Sequence, residues 1–437
     1  MFTPENFLTS ILRDHAHYLP VTRVLASALN AVEPGAAVKK YLLQNSLPMA
    51  QPRRIFSFGL GKAACAMTSA LADETSLTNS LIITKHASPL NPSTRSGRRS
   101  EPVTVIEGDH PVPGSSSLAA GNAALKFLSQ LTPDDLLVCL ISGGGSALMA
   151  APRVPLADLQ LLTSALLACG ARIDEINTLR RHLDQLKGGG LARFTNGARV
   201  ISLLLSDVVN DSIEAIASGP TVPDPTTCAD ALNIIEKYDL KDRIPMSIIP
   251  ALNETLKPND PIFERAQNTI IASNGIALHA AQAQARKESF ETLIIRTGLQ
   301  GEASVVGREI ASQLKRSTKT MRRPFCLLAG GETTVTLKGA GKGGRNQELA
   351  LAAVDMLAGL KDVMLITLAT DGEDGPTDAA GAVVTGETAQ RAESLGMFAA
   401  GYLSRNDAYS YFDALNDLVR IGPSGTNVND LVISFAF

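Results

Sequence analysis

Short, fully apolar runs alternate with helical segments along the first half of the chain, and this alternation restricts the possible fold more than any other feature. The runs are RIFSFG (54–59), SLIITKH (80–86), VTVIEG (103–108), DLLVCLIS (135–142) and ARVISLLLS (198–206). Strands buried on both faces have such continuous apolar sequences. The pattern therefore predicts a parallel sheet covered by helices on both faces. Residues 4–46, before the first run, have apolar residues at helical spacing and predict opening helices.

The second half of the chain repeats this alternation after a proline-rich stretch. Prolines concentrate between Pro220 and Pro261, which predicts a connector or hinge. The apolar runs that follow are NTIIASN (268–274), ETLIIRTG (291–298), PFCLLAGGE (324–332), VMLITLATDG (363–372) and DLVISFAF (430–437). A chain of 437 residues also exceeds what one hydrophobic core usually organises. We therefore expect a second, C-terminal α/β domain with a mixed sheet, whose last strand could pack on either sheet.

The composition argues against several classes of protein. A net charge of −3, a pI near 6.1 and the lack of a dense Lys/Arg run argue against nucleic-acid binding. No apolar run approaches the roughly 18 residues that span a bilayer, and the first residues lack the pattern of a signal peptide. The five cysteines are odd in number and lack C-x-x-C spacing, which indicates neither disulfides nor zinc. We expect a cytoplasmic enzyme that binds a small molecule, and neither nucleic acid nor a membrane.

One apolar run leads directly into a glycine-rich turn. In LLVCLISGGGSALMAAP, Ser142 is followed by Gly143, Gly144 and Gly145, and Ser146 begins a helical stretch. The turn comes at the carboxyl end of a buried strand, where open α/β sheets bind ligands. Free N–H groups at such a place suit a phosphate or a carboxylate. The alternative is a tight turn that needs positive φ, although a single glycine would satisfy it.

A second turn, FGLGKAAC, has the G-x-G-x-x-A form of a dinucleotide-binding fingerprint. NAD binding needs an acid at the end of the next strand to hold the ribose, but that strand ends in Lys85 and His86. Lys62 lies inside the turn, where its ammonium group would strengthen an anion site. A solvated lysine is the alternative. No Walker A motif occurs in the sequence, which argues against a P-loop NTPase.

A third glycine cluster, LKGAGKGGRNQELAL, leads into a helix that bears Arg345 near its start. The guanidinium group of Arg345 could bind a carboxylate or phosphate through two parallel hydrogen bonds, and the alternative is a loop with solvated charges. Acids also cluster after three strands, and they are Asp207, Asp211, Glu332, Asp371, Glu373, Asp374 and Asp378. So many carboxylates predict a cation, and Mg²⁺ fits best because it combines one or two carboxylates with waters and substrate phosphates. Any single acid is more often a turn or cap residue.

Eight motifs, taken together and in order, resemble the type-2 glycerate kinase family. They are GLGKAA, GDHPVPG, SGGGSAL, INTLRRHLDQLKGGGLA, SDVVNDSIEAIASGPTVPD, GGETTVTLKGAGKGGRNQELAL, ATDGEDGPTDAAGAVV and PSGTNVNDL. The resemblance extends from about Phe7 to Leu431, and its C-terminal part is similar to the MOFRL domain family. It implies a Rossmann-like αβα domain with a parallel sheet over residues 1–245 and a smaller MOFRL-type α/β domain with a mixed sheet over residues 262–437. It also implies an active site in the cleft between the two domains.

The activity implied by the resemblance is that of an ATP- and Mg²⁺-dependent D-glycerate 2-kinase, which converts D-glycerate to 2-phosphoglycerate. In the family, a lysine of the G-x-G-K-A-A turn and an arginine of the G-G-R-N-Q-E segment are proposed to hold the substrates, and these positions are Lys62 and Arg345. Phosphoryl transfer needs charge neutralisation and positioning more than covalent chemistry. We accordingly expect Ser142–Ser146 to cradle the ATP phosphates and Asp207 and Asp371 to bind Mg²⁺. Either acid could also accept the proton of the C2 hydroxyl.

Two other functions stay open at this point. Members of the family have often been labelled hydroxypyruvate reductase, so an NAD(P)H-dependent reductase is one alternative, although the ribose-binding acid is missing. A non-catalytic protein that binds a small anion is the other. The acids at three strand ends argue against it, because a pure anion receptor would avoid negative charge.

Overall fold

A computed structural model describes residues 1–45, 52–87 and 102–437. The chain divides into two compact units, and the division does not follow chain order. The first unit is the continuous stretch Pro34–Ile271, and the second combines Met1–Glu33 with Ala272–Phe437. The predicted bounds, 1–245 and 262–437, differ from this division at both ends of the first unit. Within the described residues, no helix is both long enough and apolar enough to cross a bilayer.

The first unit is built on a six-stranded sheet. Its strands are β1 (Ile55–Leu60), β2 (Asn79–Thr84), β3 (Val103–Glu107), β4 (Leu136–Ile141), β5 (Arg199–Leu205) and β6 (Ala266–Ala272). Its helices are α3 (Pro34–Gln44), α4 (Ala64–Glu74), α5 (Ser115–Leu128), α6 (Gly145–Leu148), α7 (Leu156–Ala168), α8 (Ile173–His182), α9 (Gly190–Arg193), α10 (Cys228–Lys237) and α11 (Ile248–Ala251). The central strand β4 is buried along its whole length, as its continuous apolar sequence predicts.

The strand order in this sheet is β3-β2-β1-β4-β5-β6. The pairings of β2 with β3, β1 with β2, β1 with β4, and β4 with β5 are all parallel. This is the strand order of a Rossmann-type sheet, in which the order reverses between β1 and β4. The prediction of a parallel, Rossmann-like sheet is confirmed. The crevice at the carboxyl ends of β1 and β4 is where such sheets bind ligands.

The proline-rich stretch between Pro220 and Pro261 is not a connector, so that prediction is wrong. It contains α10 and α11, and its Ile234, Ile235 and Ile248 are buried in one hydrophobic cluster with apolar residues of α7 and α8. The apolar spacing within α10 buries one face of the helix, and no proline lies within its residues. The stretch therefore completes a helical layer of the first unit.

The second unit contains a six-stranded mixed sheet. Its strands are β7 (Glu291–Leu299), β8 (Phe325–Gly331), β9 (Val363–Ala369), β10 (Gly381–Thr385), β11 (Leu418–Val419) and β12 (Asp430–Ala436). Its helices are α1 (Ser10–Asp14), α2 (Tyr18–Asn30), α12 (Asn274–Lys287), α13 (Ala303–Ser317), α14 (Arg345–Leu357), α15 (Thr388–Glu393), α16 (Ala399–Leu403) and α17 (Ala408–Leu415). The order is β11-β10-β9-β12-β8-β7, with β7 and β8 parallel and β12 antiparallel to both β8 and β9. The predicted mixed sheet is confirmed.

One strand lies in a different sheet from the expected one, and the structure decides between the two sheets left open for another. The run NTIIASN was assigned to the second series, but β6 lies at the edge of the first sheet, next to β5. The last strand, β12, lies in the middle of the second sheet, where every residue from Asp430 to Ala436 is buried. Apolar sequence identifies a buried strand but not the sheet that buries it, because either sheet offers the same environment.

The N-terminal helices pack in the second unit. In α2, Val21, Leu25 and Leu29 are fully buried, and this helix packs against α12, where Leu278 is also fully buried. The Ser27 hydroxyl donates to the Ala280 carbonyl over 3.3 Å. The apolar spacing correctly predicts opening helices. It does not identify their partner, which is separated from them in sequence by the whole first unit.

Candidate active site

The two predicted glycine turns of the first unit meet at the point where the strand order reverses. The Lys62 amide donates to the Gly143 carbonyl over 3.1 Å, and the Ala63 amide donates to Ser142 Oγ over 3.0 Å. The first turn follows β1 and the second follows β4, which are neighbours in the sheet. The hydrogen bonds therefore join both turns into one structure at the carboxyl ends of these strands.

The three consecutive glycines make room for groups that approach the turn. A Cβ on Gly143 would overlap the Asp207 carboxylate. Gly144 has φ of +85°, and a Cβ there would lie 3.3 Å from His110 Cδ2 and 3.5 Å from Lys62 Cε. A tight turn alone would need glycine only at Gly144. The glycine at 143 admits the carboxylate, and a Cβ on Gly145 would overlap the side chains of Ala217 and Leu60. The sequence GGG therefore reflects both conformation and close packing around the turn.

The serines on either side of the glycines hold the turn in place. Ser142 is 1% exposed, and its hydroxyl is engaged by the amide of Ala63. The hydroxyls of Ser146 and Ser218 lie 2.7 Å apart. The helix that follows, α6, begins at Gly145 and has only one turn, so its macrodipole is small. Anion binding here would depend on the N–H groups of the turn and on the neighbouring cation, rather than on a helix dipole.

Lys62 and His110 lie side by side at Gly144. The Lys62 side chain is exposed, and within the described residues no carboxylate forms an ion pair with it. His110 is half-buried, and its pKa is lowered by burial and by the charges of Lys62 and Lys85. No role for His110 was predicted from the sequence. The signal was its place in GDHPVPG after β3, a third strand that ends at the same edge of the sheet.

The second unit brings its own charged cluster around Arg345, the first residue of α14. Arg345 Nε and Nη2 donate to the two carboxylate oxygens of Asp430 over 2.6 and 3.2 Å, and Nη1 donates to Glu332 over 2.6 Å. Burial raises the pKa of Asp430, and Arg345 opposes that shift. Burial would lower the pKa of Arg345, but the charges of Asp430 and Glu332 outweigh this effect and raise it.

Asp374 accepts hydrogen bonds from free N–H groups at the buried start of α14. Its carboxylate accepts from the amides of Asn346 and Gln347 over 3.0 and 2.8 Å. Burial raises the pKa of Asp374, and these two backbone bonds oppose the rise. Asp374 is therefore a capping residue, the role that an acid in a loop most often has.

Asp371, the predicted metal ligand, belongs to the same loop but does not contact Arg345. Its carboxylate accepts from the Glu373 amide over 3.2 Å, which is an ordinary turn interaction. The acid that accepts two hydrogen bonds from Arg345, Asp430, was not predicted. Its position could be found only by knowing that the last strand lies between β8 and β9, because Asp430 pairs with Gly331 and Ala369 there.

The predicted site residues thus fall into two groups. Lys62, Ser142–Ser146 and Asp207 come together at the switch point of the first sheet, whereas Arg345 and Asp371 lie in the second unit. Among the residues that the structure describes, no set of three or more His, Cys, Asp or Glu side chains could hold a metal ion. All five cysteines are free thiols, and Cys65, Cys139 and Cys326 are buried.

Comparison with known proteins gives consistent matches over both units. Residues 20–253 match the family model "Domain of unknown function (DUF4147)", and residues 325–430 match the MOFRL family. The chain is 37% identical to glycerate 2-kinase of Pyrococcus horikoshii, over 94% of this chain and 96% of that protein. It is 38% identical to a putative hydroxypyruvate reductase of Agrobacterium vitis, over 94% and 92%. The crystal structure of glycerate kinase from Thermotoga maritima matches with a TM-score of 0.87 and 37% identity, over 96% and 99% of the two chains.

Proposed function

This chain belongs to the type-2 glycerate kinase family, and from that premise we propose that it is an ATP- and Mg²⁺-dependent D-glycerate 2-kinase. It would transfer a phosphoryl group from ATP to the C2 hydroxyl of D-glycerate and release 2-phosphoglycerate and ADP. The observation that carries the proposal is the joining of two glycine turns at the switch point of the first sheet. The ammonium group of Lys62 lies beside them and forms no ion pair with any residue that the structure describes. An anion with several oxygens is the ligand that such an arrangement suits best.

In the first unit, the turn Ser142–Ser146 would hold the phosphates of ATP. The buried bond between Ser142 and Ala63 keeps the turn rigid, so little conformational entropy is lost when a ligand binds. Lys62 would place its charge against the phosphoryl group that is transferred. Charge stabilisation of this kind typically changes the rate by about 10²–10³ per interaction.

The carboxylate of Asp207 fits a Mg²⁺ ion that is shared with substrate phosphates. Mg²⁺ usually takes only one or two carboxylates and completes its shell with waters and phosphate oxygens, so a site of this kind needs no cluster of three protein ligands. Asp207 lies against Gly143, in the turn that would hold the phosphates. When bound, the ion would neutralise charge on the phosphate oxygens. Asp371 is the candidate in the second unit.

In the second unit, Arg345 would bind a carboxylate or phosphoryl oxygen. Three of its N–H groups are engaged by Asp430 and Glu332, and a guanidinium group has five. Two donors therefore remain for a ligand, while the ion pairs fix the orientation of the group. We further propose that both clusters act on the same pair of substrates.

The proposal is tested by incubating the purified protein with ATP, MgCl₂ and D-glycerate and identifying the product by ³¹P and ¹³C NMR. We expect 2-phosphoglycerate, and a product phosphorylated at C3 or no product would contradict the proposal.

The variant K62A tests the role of the first unit. We expect kcat/KM to fall by about 10²–10³, because an interaction with the transferred phosphoryl group is lost. The melting temperature should stay unchanged, since Lys62 is exposed and unpaired among the described residues. The matched control is K126A, which removes another exposed lysine of the same unit and should retain full activity. Equal activity of K62A and K126A would contradict a role of Lys62 in the active site.

A reductase is the second candidate, because one relative bears the name putative hydroxypyruvate reductase. The structure argues against it: β2 ends at Thr84 and is followed by Lys85, so the acid that would hold an NAD ribose is missing. Mixing the protein with hydroxypyruvate and NADH or NADPH distinguishes the two functions by absorbance at 340 nm. Binding of glycerate without turnover in either assay would instead indicate a small-anion binding protein.

A further inference from the structure

His110 is held at the glycine turn by a rigid loop. The Gly108 amide donates to the Thr84 carbonyl over 2.9 Å, and a Cβ on Gly108 would overlap the Leu148 carbonyl. Asp109 accepts from the amides of Ser116 and Ser117 at the start of α5. These bonds fix the backbone on the N-terminal side of His110. The imidazole is therefore positioned by the fold before any ligand arrives.

The ring presents its Nε2 edge to the turn. A Cβ on Gly144 would lie 3.3 Å from His110 Cδ2 and 3.5 Å from Nε2, so this edge borders the same space as Lys62. Within the described part of the chain, neither ring nitrogen makes a hydrogen bond. The carboxylate of Asp109 is already engaged by α5 and does not orient the ring. A half-buried imidazole without a protein partner, beside a cation and an anion-binding turn, has a ligand as its natural partner.

We infer that His110 is the base that accepts the proton of the acceptor hydroxyl during phosphoryl transfer. This inference rests on the proposed function and deepens it. The hydroxyl oxygen forms a new bond to the γ-phosphorus of ATP, the bond between that phosphorus and the bridging oxygen breaks, and its electron pair leaves with ADP. The hydroxyl proton moves to Nε2 of His110, and the resulting imidazolium returns it to water afterwards.

Histidine suits this role better than the carboxylates named from the sequence. Asp207, at the same turn, would lose basicity if it bound a metal ion, whereas a neutral imidazole matches proton transfer near pH 7. The charged groups around His110 are Lys62 at the end of β1, Lys85 after β2, Asp109 in its own loop and Asp207 across the glycine turn. Burial and both lysines lower the pKa of His110, which keeps the ring neutral and able to accept a proton.

The pH dependence of the wild-type protein gives the first test. The acid limb of kcat/KM reports the free protein and should have its midpoint below the usual pKa of histidine. The acid limb of kcat reports the substrate complex, and its midpoint should lie at higher pH, because the phosphate charges of ATP favour imidazolium. The variant K85Q should move the limb of kcat/KM to higher pH, since it removes one cation. A limb that K85Q does not move would contradict the inference.

The variant H110Q gives the second test. We expect kcat to fall by about 10²–10³ with the KM for ATP changed less than about threefold, and the acid limb to disappear. In H110A, added imidazole should restore part of kcat, an effect that a structural role would not produce. The control H279Q replaces an exposed histidine of α12 and should behave as wild type.

The outcomes distinguish a failure of the role assigned to His110 from a failure of the proposed kinase activity. If the wild type turns over D-glycerate and H110Q keeps kcat within threefold, or H110A is not rescued, the inference is overturned and the kinase proposal stands. If the wild type does not phosphorylate D-glycerate at all, both are overturned.

Discussion

Gly144 shows how much of the site a single residue determines. Its φ of +85° lies in the left-handed region, and its missing side chain leaves space beside Lys62 and His110. Sequence alone predicts an anion-binding turn here, because three glycines follow a buried strand. It cannot say that His110 shares this space, because that contact joins segments that follow two different strands.

Comparison of the variants G144A and G170A should separate the effect of positive φ from the effect of filling the space beside the turn. Both glycines have positive φ, so each alanine should destabilise the protein by about 1–2 kcal/mol. A Cβ on Gly170 has nothing within 4 Å, whereas one on Gly144 would press on His110 and Lys62. Only G144A should therefore lose kinase activity, measured alongside denaturant unfolding. Full activity of G144A would mean that the space beside the turn is not used.

At the scale of elements, the sequence predicts strands better than it predicts their neighbours. The apolar runs identify ten of the twelve strands in the described part of the chain but miss β10 and β11. The runs also do not reveal that β6 joins the first sheet or that β12 lies in the centre of the second. The position of β12 matters most, because it brings Asp430 to Arg345. Strand pairing is a long-range property, and local sequence carries little information about it.

The helices α8 and α10 are joined by Glu175, and this contact gives a pH-dependent prediction. The Lys237 ammonium donates to Glu175 over 2.7 Å, and the hydroxyl of Tyr238 and the amide of Arg172 donate over 2.8 and 2.9 Å. The hydrogen bond from Lys237, together with the other two donors, lowers the pKa of Glu175 to about 2 against the opposing effect of burial. A lowered pKa stabilises the folded state above the usual pKa of glutamate, and the gain is lost as the pH falls through the folded value.

The variant E175Q should accordingly be less stable than wild type at pH 7, by about 1.5–3 kcal/mol, because hydrogen bonds to a charged group are lost. The difference in the free energy of unfolding between E175Q and wild type should shrink as the pH falls from 4.5 towards 2, because the wild-type carboxyl group becomes protonated there. Urea unfolding at a series of pH values measures this. E236Q, at an exposed glutamate of α10, serves as the control and should show no such trend. A constant difference between E175Q and wild type would contradict the assigned pKa.

At the scale of the whole molecule, the first unit is inserted into the second. Residues 34–271 form a continuous chain with their own sheet and core, whereas the second unit needs both Met1–Glu33 and Ala272–Phe437. The sequence indicates two domains and predicts residues 1–33 as part of the first, whereas this division groups them with the second unit. The physical reason is that the apolar face of α2 packs against α12. Amphipathic spacing predicts that a helix has a buried face but not which element covers it.

Fragments test this organisation. Residues 34–271 alone should unfold cooperatively on heating, whereas residues 272–437 alone should not, because the face of α12 that α2 covers would be exposed. Linking residues 1–33 to residues 272–437 with a flexible linker should restore cooperative unfolding and dispersed amide signals in NMR spectra. A folded 272–437 fragment with undiminished stability would show that α1 and α2 are dispensable.

The inserted arrangement also sets an order of events during synthesis on the ribosome. Helix α2 leaves the exit tunnel before its partner α12, which is made only after the whole segment 34–271. At about 5–20 residues per second this delay is on the order of tens of seconds. During that time the apolar side chains of α2 that face α12 lack their native partner. They give the nascent chain an early binding site for a chaperone while the intervening segment acquires its structure.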